Sequence, residues 1–243
     1  MRGGGAGRLL VAGPYHAREV SSAAGMTACL TLRSRIFRPD GAADRDGYDG
    51  LSRHVLITDS RDGAAVACFR HRALLPDALT TSYTGQFYDL SPLRTLRGPL
   101  VELGRVAVDA QRSTPDLLRL LFAAMARMAA RTRARLIFGC SSFPGADPLR
   151  HAPAIAWARG RSEVPGIRAL APCALPVAAP DPAGVPALLR SYLALGAAVG
   201  PDAVADPALD TFHLFTLLKV AEVPAVRART LRRLVGDCLS PGA

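Results

Sequence analysis

Glu102 and Arg105 stand inside an otherwise apolar run, Leu100 to Val108, and Arg70 closes a second apolar run. Charged groups placed where burial is expected are groups that could accept a proton or hold a charged substrate. Residues two apart share a strand face and residues three apart do not, so Glu102 and Arg105 face opposite sides unless the strand bulges. The other reading is an edge strand with solvated charges, and the residues alone leave both open. A second concentration of charge lies in the stretch from Gly41 to Leu51, which holds Asp44, Asp46 and Asp49.

Other chemistries find no pattern to support them. His16, His54, His71, His151 and His213 show no metal-helix spacing, and no metal site is expected. Gly3-Gly4-Gly5-Ala6-Gly7 follows no strand and lacks the Lys-Ser/Thr of a phosphate loop. Ser141 and Ser142 lack the Gly-x-Ser-x-Gly context of a hydrolase elbow. Cys29, Cys68, Cys140, Cys173 and Cys238 are dispersed, odd in number and never spaced as Cys-x-x-Cys, so they read as reduced thiols.

The chain of 243 residues is 49% hydrophobic and 21% charged, which provides a core and excludes wholesale disorder. Its formal net charge is +10, carried by arginine with Lys219 as the single lysine. Such a charge suits nucleic acid, anionic lipid or an acidic protein and says nothing of fold. The start lacks the apolar run of a secretory signal, and no uninterrupted apolar segment reaches spanning length. A cytoplasmic protein is expected, with a peripheral place on the inner face of the cell membrane as an option. The domain reading is a flexible N-terminus over 1–8, one domain over 9–223, and a basic amphipathic helix and tail over 224–243.

The elements that must position these charges follow from periodicity. A helix is predicted from His16 to Phe37, ending at Arg38-Pro39-Asp40-Gly41. Strands His54 to Thr58 and Ala65 to Arg70 form a hairpin through an Asp-Gly turn, and Leu100 to Val108 is a strand. Ser113 or Thr114 caps a helix that begins at Pro115 and buries Leu117, Leu118, Leu121, Ala124, Met125 and Met128. Leu136 to Cys140 reads as a short strand followed by a loop from Ser141 to Pro148, and Arg150 to Gly184, poor in periodicity, reads as partly irregular. Pro186 to Leu195 is predicted helical, Thr211 to Val220 a strand, and Pro224 to Val235 a basic helix. The order gives a mixed α/β (α+β) fold, a sheet flanked by helices.

Several stretches resemble one acyltransferase branch. They are Leu32-Arg33-Ser34-Arg35-Ile36-Phe37, Asp44-Arg45-Asp46-Gly47-Tyr48-Asp49 followed by His54-Val55-Leu56, Cys68-Phe69-Arg70, and Val101-Glu102-Leu103-Gly104-Arg105. This set is similar to that shared by acyl-homoserine-lactone synthases and ornithine-lipid N-acyltransferases, both of the GNAT-like fold. Three further stretches favour the ornithine group: Tyr83 to Leu90, Phe138 to Pro148 with its Gly-Cys-Ser-Ser-Phe, and Leu189 to Ala197 with Asp206 beyond. Two departures stand out. Gln111-Arg112-Ser113-Thr114-Pro115 replaces the phosphate loop of acetyl-CoA-using relatives, and Thr211-Phe212-His213 replaces a Thr-Thr-Asp run.

The resemblance implies transfer of a (3-hydroxy) fatty acyl group from acyl carrier protein to the α-amino group of L-ornithine, giving a lyso-ornithine lipid. The donor would ride on the carrier's phosphopantetheine, with no cofactor bound to the chain. It also implies Glu102 and Arg105 as catalytic, with Glu102 the base or the group orienting the amine. Arg33, Phe37, Asp46, Asp49, Arg70, Gly139, Cys140 and Ser141 would bind substrate, and the acidic loop would surround a dibasic amino acid. Backbone N–H groups near Gly104 and from Gly139 to Ser141 would serve the oxyanion. The runner-up is an acyl-homoserine-lactone or other N-acyl amino acid synthase; the lactone enzymes carry a tryptophan before the acidic loop, whereas the single tryptophan here is Trp157. The alternative of another class is a non-catalytic basic protein of membrane surfaces or nucleic acid. Aromatic residues at 6% leave few stacking platforms, so no nucleic acid is expected.

Overall fold

A computed structural model describes residues 10–239 except 39, 146, 162, 163 and 165. The expected flexible segment 1–8 and the last residues of the tail lie outside the described residues. In chain order the elements are β1 (Leu10–Ala12), β2 (Tyr15–Glu19), α1 (Ala23–Phe37), β3 (Arg53–Asp59), β4 (Ala65–Leu74), β5 (Tyr88–Asp89) and β6 (Leu100–Val108). They continue with α2 (Pro115–Arg131), β7 (Leu136–Pro144), α3 (Pro148–Arg161), β8 (Arg168–Ala169), α4 (Ala187–Ala194), β9 (Ala198–Asp206), β10 (Thr211–Lys219) and α5 (Ala225–Cys238).

These elements fall into two units, one holding residues up to 72, 103–133 and from 225, the other holding 73–102 and 134–224. In the first unit the strands run in the order β1-β2-β3-β4-β6. The hairpin of β3 and β4 turns on Gly63 at φ +73°, with Gly63 N–H donating to the Asp59 carbonyl at 2.7 Å. That is the left-handed position the Asp-Gly pair signalled. Thr114 caps α2 by accepting from Leu117 N at 3.2 Å, and Pro115 opens it. Leu117, Leu120, Leu121, Ala124 and Met128 turn inward, whereas Leu118 is 38% exposed and leaves the expected buried face. Cys29, Leu32, Leu56, Cys68 and Ala107 form a second apolar cluster, against which Phe37 packs.

The predicted helix from His16 is corrected by the structure. Tyr15 to Glu19 is strand β2, paired with β3, and α1 starts only at Ala23, where Ser22 accepts from Gly25 N at 3.1 Å. Tyr15 and Ala17 are buried in alternation, a strand period masked by the helix-favouring alanines that follow.

In the second unit the order is β6-β7-β10-β9, with β6 and β7 parallel and the others antiparallel. The expected loop after Cys140 is instead the rest of β7, which pairs with β10 as far as Thr211↔Pro144. The stretch read as partly irregular holds most of α3, whose buried face is His151, Ala152, Ala154, Ile155 and Ala158. Strand β9 escaped the sequence reading because it contains Gly200 and Pro201; its register against β10 shifts there, between Leu214 and Thr216, the kind of irregularity at which a strand proline is tolerated. The core of this unit includes Phe138, Phe215, Tyr88 and Leu100 on one cluster and Phe143, Ile155, Phe212 and Leu214 on another.

Candidate active site

Strand β6 runs through both units, and the charged residues it carries belong to a different set of contacts in each. In the first unit, Arg33 on α1 is 1% exposed. Its Nε donates to Asp44 at 2.6 Å and its Nη1 to Asp49 at 2.6 Å. Arg70 donates to Asp46 at 2.5 Å and Asp49 at 2.9 Å. Arg105 donates through Nε to Asp44 at 3.1 Å and through Nη2 to Asp46 at 3.2 Å. The loop is also pinned by its own backbone, Asp46 N–H donating to Asp49 at 3.0 Å and Asp44 N–H to the Ser34 hydroxyl at 2.9 Å.

Three carboxylates therefore face three guanidinium groups. The loop's charge is matched inside the protein. Burial would push the Asp49 carboxyl up, but bonds from Arg33, Asp46 N–H and Arg70 outweigh it and bring the group down to about 2. Only Asp46 among the three is appreciably open, with 23% of its side chain exposed.

Arg105 adopts φ +49° within β6. A non-glycine residue in this region costs on the order of 1–3 kcal/mol and persists where its surroundings over-determine it. Here the bonds to Asp44 and Asp46 do so.

In the second unit, Glu102 is 7% exposed and its carboxylate is cradled by one short turn. Thr84 gives its backbone N–H and its hydroxyl to Oε1, each at 2.7 Å, and Tyr83 N–H reaches Oε2 at 3.2 Å. The turn is tight because Ser82 donates to the Leu79 carbonyl at 2.6 Å and accepts from Gly85 N–H at 3.0 Å. A Cβ at Gly85 would lie 2.8 Å from the Leu79 carbonyl oxygen, so only glycine fits.

The β6–β7 ladder ends at Glu102↔Phe138. Beyond it, Gly139, Cys140 and Ser141 remain paired to β10. The Cys140 thiol lies 3.9 Å from the Thr84 hydroxyl, and the Ser141 hydroxyl lies 2.8 Å from that of Thr216.

The same turn is anchored to β9 and β10. Tyr83 donates its hydroxyl to Asp206 at 2.9 Å. Tyr88 donates its single hydroxyl proton to the His213 carbonyl at 2.9 Å, so its 3.2 Å contact with His213 Nδ1 has the imidazole N–H as donor. Nε2 is then the lone-pair nitrogen, buried without a partner among the described residues. Burial lowers the imidazole to about 4 against a smaller upward push from Asp206, which keeps it neutral near pH 7. The sequence reading noted Asp206 and His213 without a role and missed Thr84; the run Tyr83-Thr84-Gly85 was the available signal. At the other departure, Arg112 is paired with Asp62 at 2.6 Å and Thr114 is spent on capping α2.

Residues 32–123 match the model of the acetyltransferase (GNAT) domain. The chain superimposes on the N-acyl amino acid synthase FeeM from uncultured soil microbes with a TM-score of 0.53 at 11% identity, covering 86% of this chain and 92% of that one. The apo form of TofI gives 0.52 at 17%, covering 90% and 95%. The fold is GNAT-like. The GNAT-like chain is also a distant homologue of L-ornithine N(alpha)-acyltransferases. It is 28% identical to that of Rhizobium meliloti (strain 1021), over 85% of this chain and 80% of that protein. For Brucella abortus (strain 2308) the identity is 26%, over 87% and 86%.

Proposed function

We propose that the protein is an N-acyltransferase that moves a (3-hydroxy) fatty acyl group from the phosphopantetheine thioester of acyl carrier protein to the α-amino group of L-ornithine. The observation that carries this reading is the buried carboxylate of Glu102, fixed by three donors at the end of the β6–β7 ladder. The similarity to ornithine acyltransferases over most of the chain supports the choice of amine.

The chemistry asks for a fixed acceptor. The α-amino group arrives as an ammonium and must lose a proton before its nitrogen attacks the thioester carbonyl. A carboxylate has about four lone-pair sites. The contacts described above use two on Oε1 and one on Oε2, which leaves Oε2 able to accept from the substrate nitrogen. In this mechanism Glu102 orients the amine and receives its proton directly or through water; the C–N bond forms, the C–S bond breaks, and the carrier's thiol leaves with a proton. Those backbone N–H groups of β7 between Gly139 and Ser141 that point away from β10 are the donors assigned to the oxyanion. In the first unit, Asp46 is the open carboxylate of the Arg/Asp network and is held in place by Arg70 and Arg105.

The test is competition. Purified protein is given acyl carrier protein thioesters with ornithine, lysine, glutamine and S-adenosylmethionine together, and products are identified by mass. Acyl-ornithine is the expected product. A homoserine lactone would replace this reading with the synthase one.

A further inference from the structure

Helices α2 and α5 pack in the same unit and leave a groove of about 400 Å³ between them. Its floor is Ala126, Ala130, Leu231 and Val235, and Arg127, Arg131 and Arg232 line it with positive charge. The volume is in the range of small-molecule sites, roughly 300–1,000 Å³.

Charge on the two helices is distributed unevenly along them. Together they hold seven arginines and two acids. Both acids meet Arg119 near the start of α2, Asp116 at 3.4 Å and Asp237 at 4.0 Å. The groove lies at the other end of α2, where the helix carries arginines and no acid. On α5, at about 100° per residue, Arg229, Arg232 and Arg233 occupy one outward face, and Val226 at its edge is 64% exposed.

An apolar floor edged by guanidinium groups selects an anionic amphiphile. The guanidinium fork bonds a phosphate bidentately, and the first methylenes below the headgroup cover the alanine, leucine and valine floor. A protein partner engages about 20–30 residues a side, whereas seven line this groove. A bilayer supplies one headgroup for the groove and many more for the basic face beside it.

We propose that the α2/α5 groove seats an anionic phospholipid headgroup and holds this face of the protein on a membrane surface. This goes beyond the acyl-transfer reading and does not depend on which amine is acylated.

The test uses the full chain and vesicles of phosphatidylcholine with or without about one-third phosphatidylglycerol, read by co-sedimentation at several salt concentrations. Each arginine near an anionic surface contributes roughly fivefold, so Arg131→Glu with Arg232→Glu is expected to weaken binding at least about 20-fold. The control Arg94→Glu with Arg97→Glu, a charge change of the same size elsewhere, is expected to leave it within about threefold. Thermal melts confirm that both variants fold. Equal binding to the two vesicle types, or equal loss in both variants, would overturn the proposal. So would unchanged vesicle binding by the groove variant together with lost binding of acyl carrier protein, which would give the face to an acidic protein.

Discussion

Thr84 directs both its backbone N–H and its hydroxyl at one oxygen of Glu102, each at 2.7 Å. A hydrogen bond to a charged group contributes about 1.5–3 kcal/mol. Thr84→Val keeps the shape and the N–H but deletes the hydroxyl donor, so kcat for acyl transfer is expected to fall by about 10–100-fold. Thr84→Ser should restore most of it. Equal rates for the valine and serine variants in steady-state assays would show that the hydroxyl does not serve the carboxylate.

Gly85 makes that geometry available. Because a Cβ there would meet the Leu79 carbonyl oxygen at 2.8 Å, Gly85→Ala must shift the turn. A drop in kcat is expected with a melting temperature changed by only a few degrees. A variant with wild-type kcat would show that the turn tolerates movement.

The Arg/Asp network sets stability in the other unit. Removing one member of a buried pair costs about 3–5 kcal/mol because the partner's charge stays buried. Asp49 answers both Arg33 and Arg70, so Asp49→Asn is expected to lower the melting temperature by roughly 6–20 °C, at about 2–4 °C per kcal/mol for a chain of this size. A change below about 2 °C in a thermal melt would show that the pairs contribute nothing net.

Acid sensitivity should appear before Asp49 titrates. Burial holds His71 and His213 at about 4, whereas the unfolded chain protonates near 6.5. Their contribution is complete above about pH 6.5 and declines as pH falls toward 4, by about 2 kcal/mol each at pH 5. Asp49, lowered to about 2, contributes above its unfolded value of 3.8 and is lost only as pH falls through 2. Melting temperature is therefore expected to drop between pH 7 and 5, less steeply in His213→Asn, which keeps a donor toward Tyr88. A flat wild-type profile would contradict this.

Elements with a strong local signal were legible from residues alone. Strand β6 matches its apolar run, and α2 starts at the Thr-Pro signal. Elements decided by distant partners were not. Tyr15 to Glu19 is a strand because β3 pairs with it, and β9 exists despite Gly200 and Pro201 because β10 supplies a neighbour. The same division runs through the candidate site. Residues matching the acyltransferase pattern pointed to Arg33, Asp46, Asp49, Arg70 and Arg105, which the fold draws into one network. The cradle of Glu102 showed in the sequence only as the run Tyr83-Thr84-Gly85, because it depends on backbone N–H groups 18 and 19 residues away and on a turn that only Gly85 permits.

Acyl transfer depends most on Glu102, and Glu102→Gln is the direct test of that dependence. The amide keeps the shape and can still accept at its oxygen, but it carries no charge and is no base. Formation of acyl-ornithine from the carrier thioester, followed by mass at saturating and subsaturating ornithine, is expected to slow at least 100-fold in a variant that melts like the wild type. Unchanged turnover at both ornithine concentrations would remove Glu102 from the reaction and contradict the mechanism.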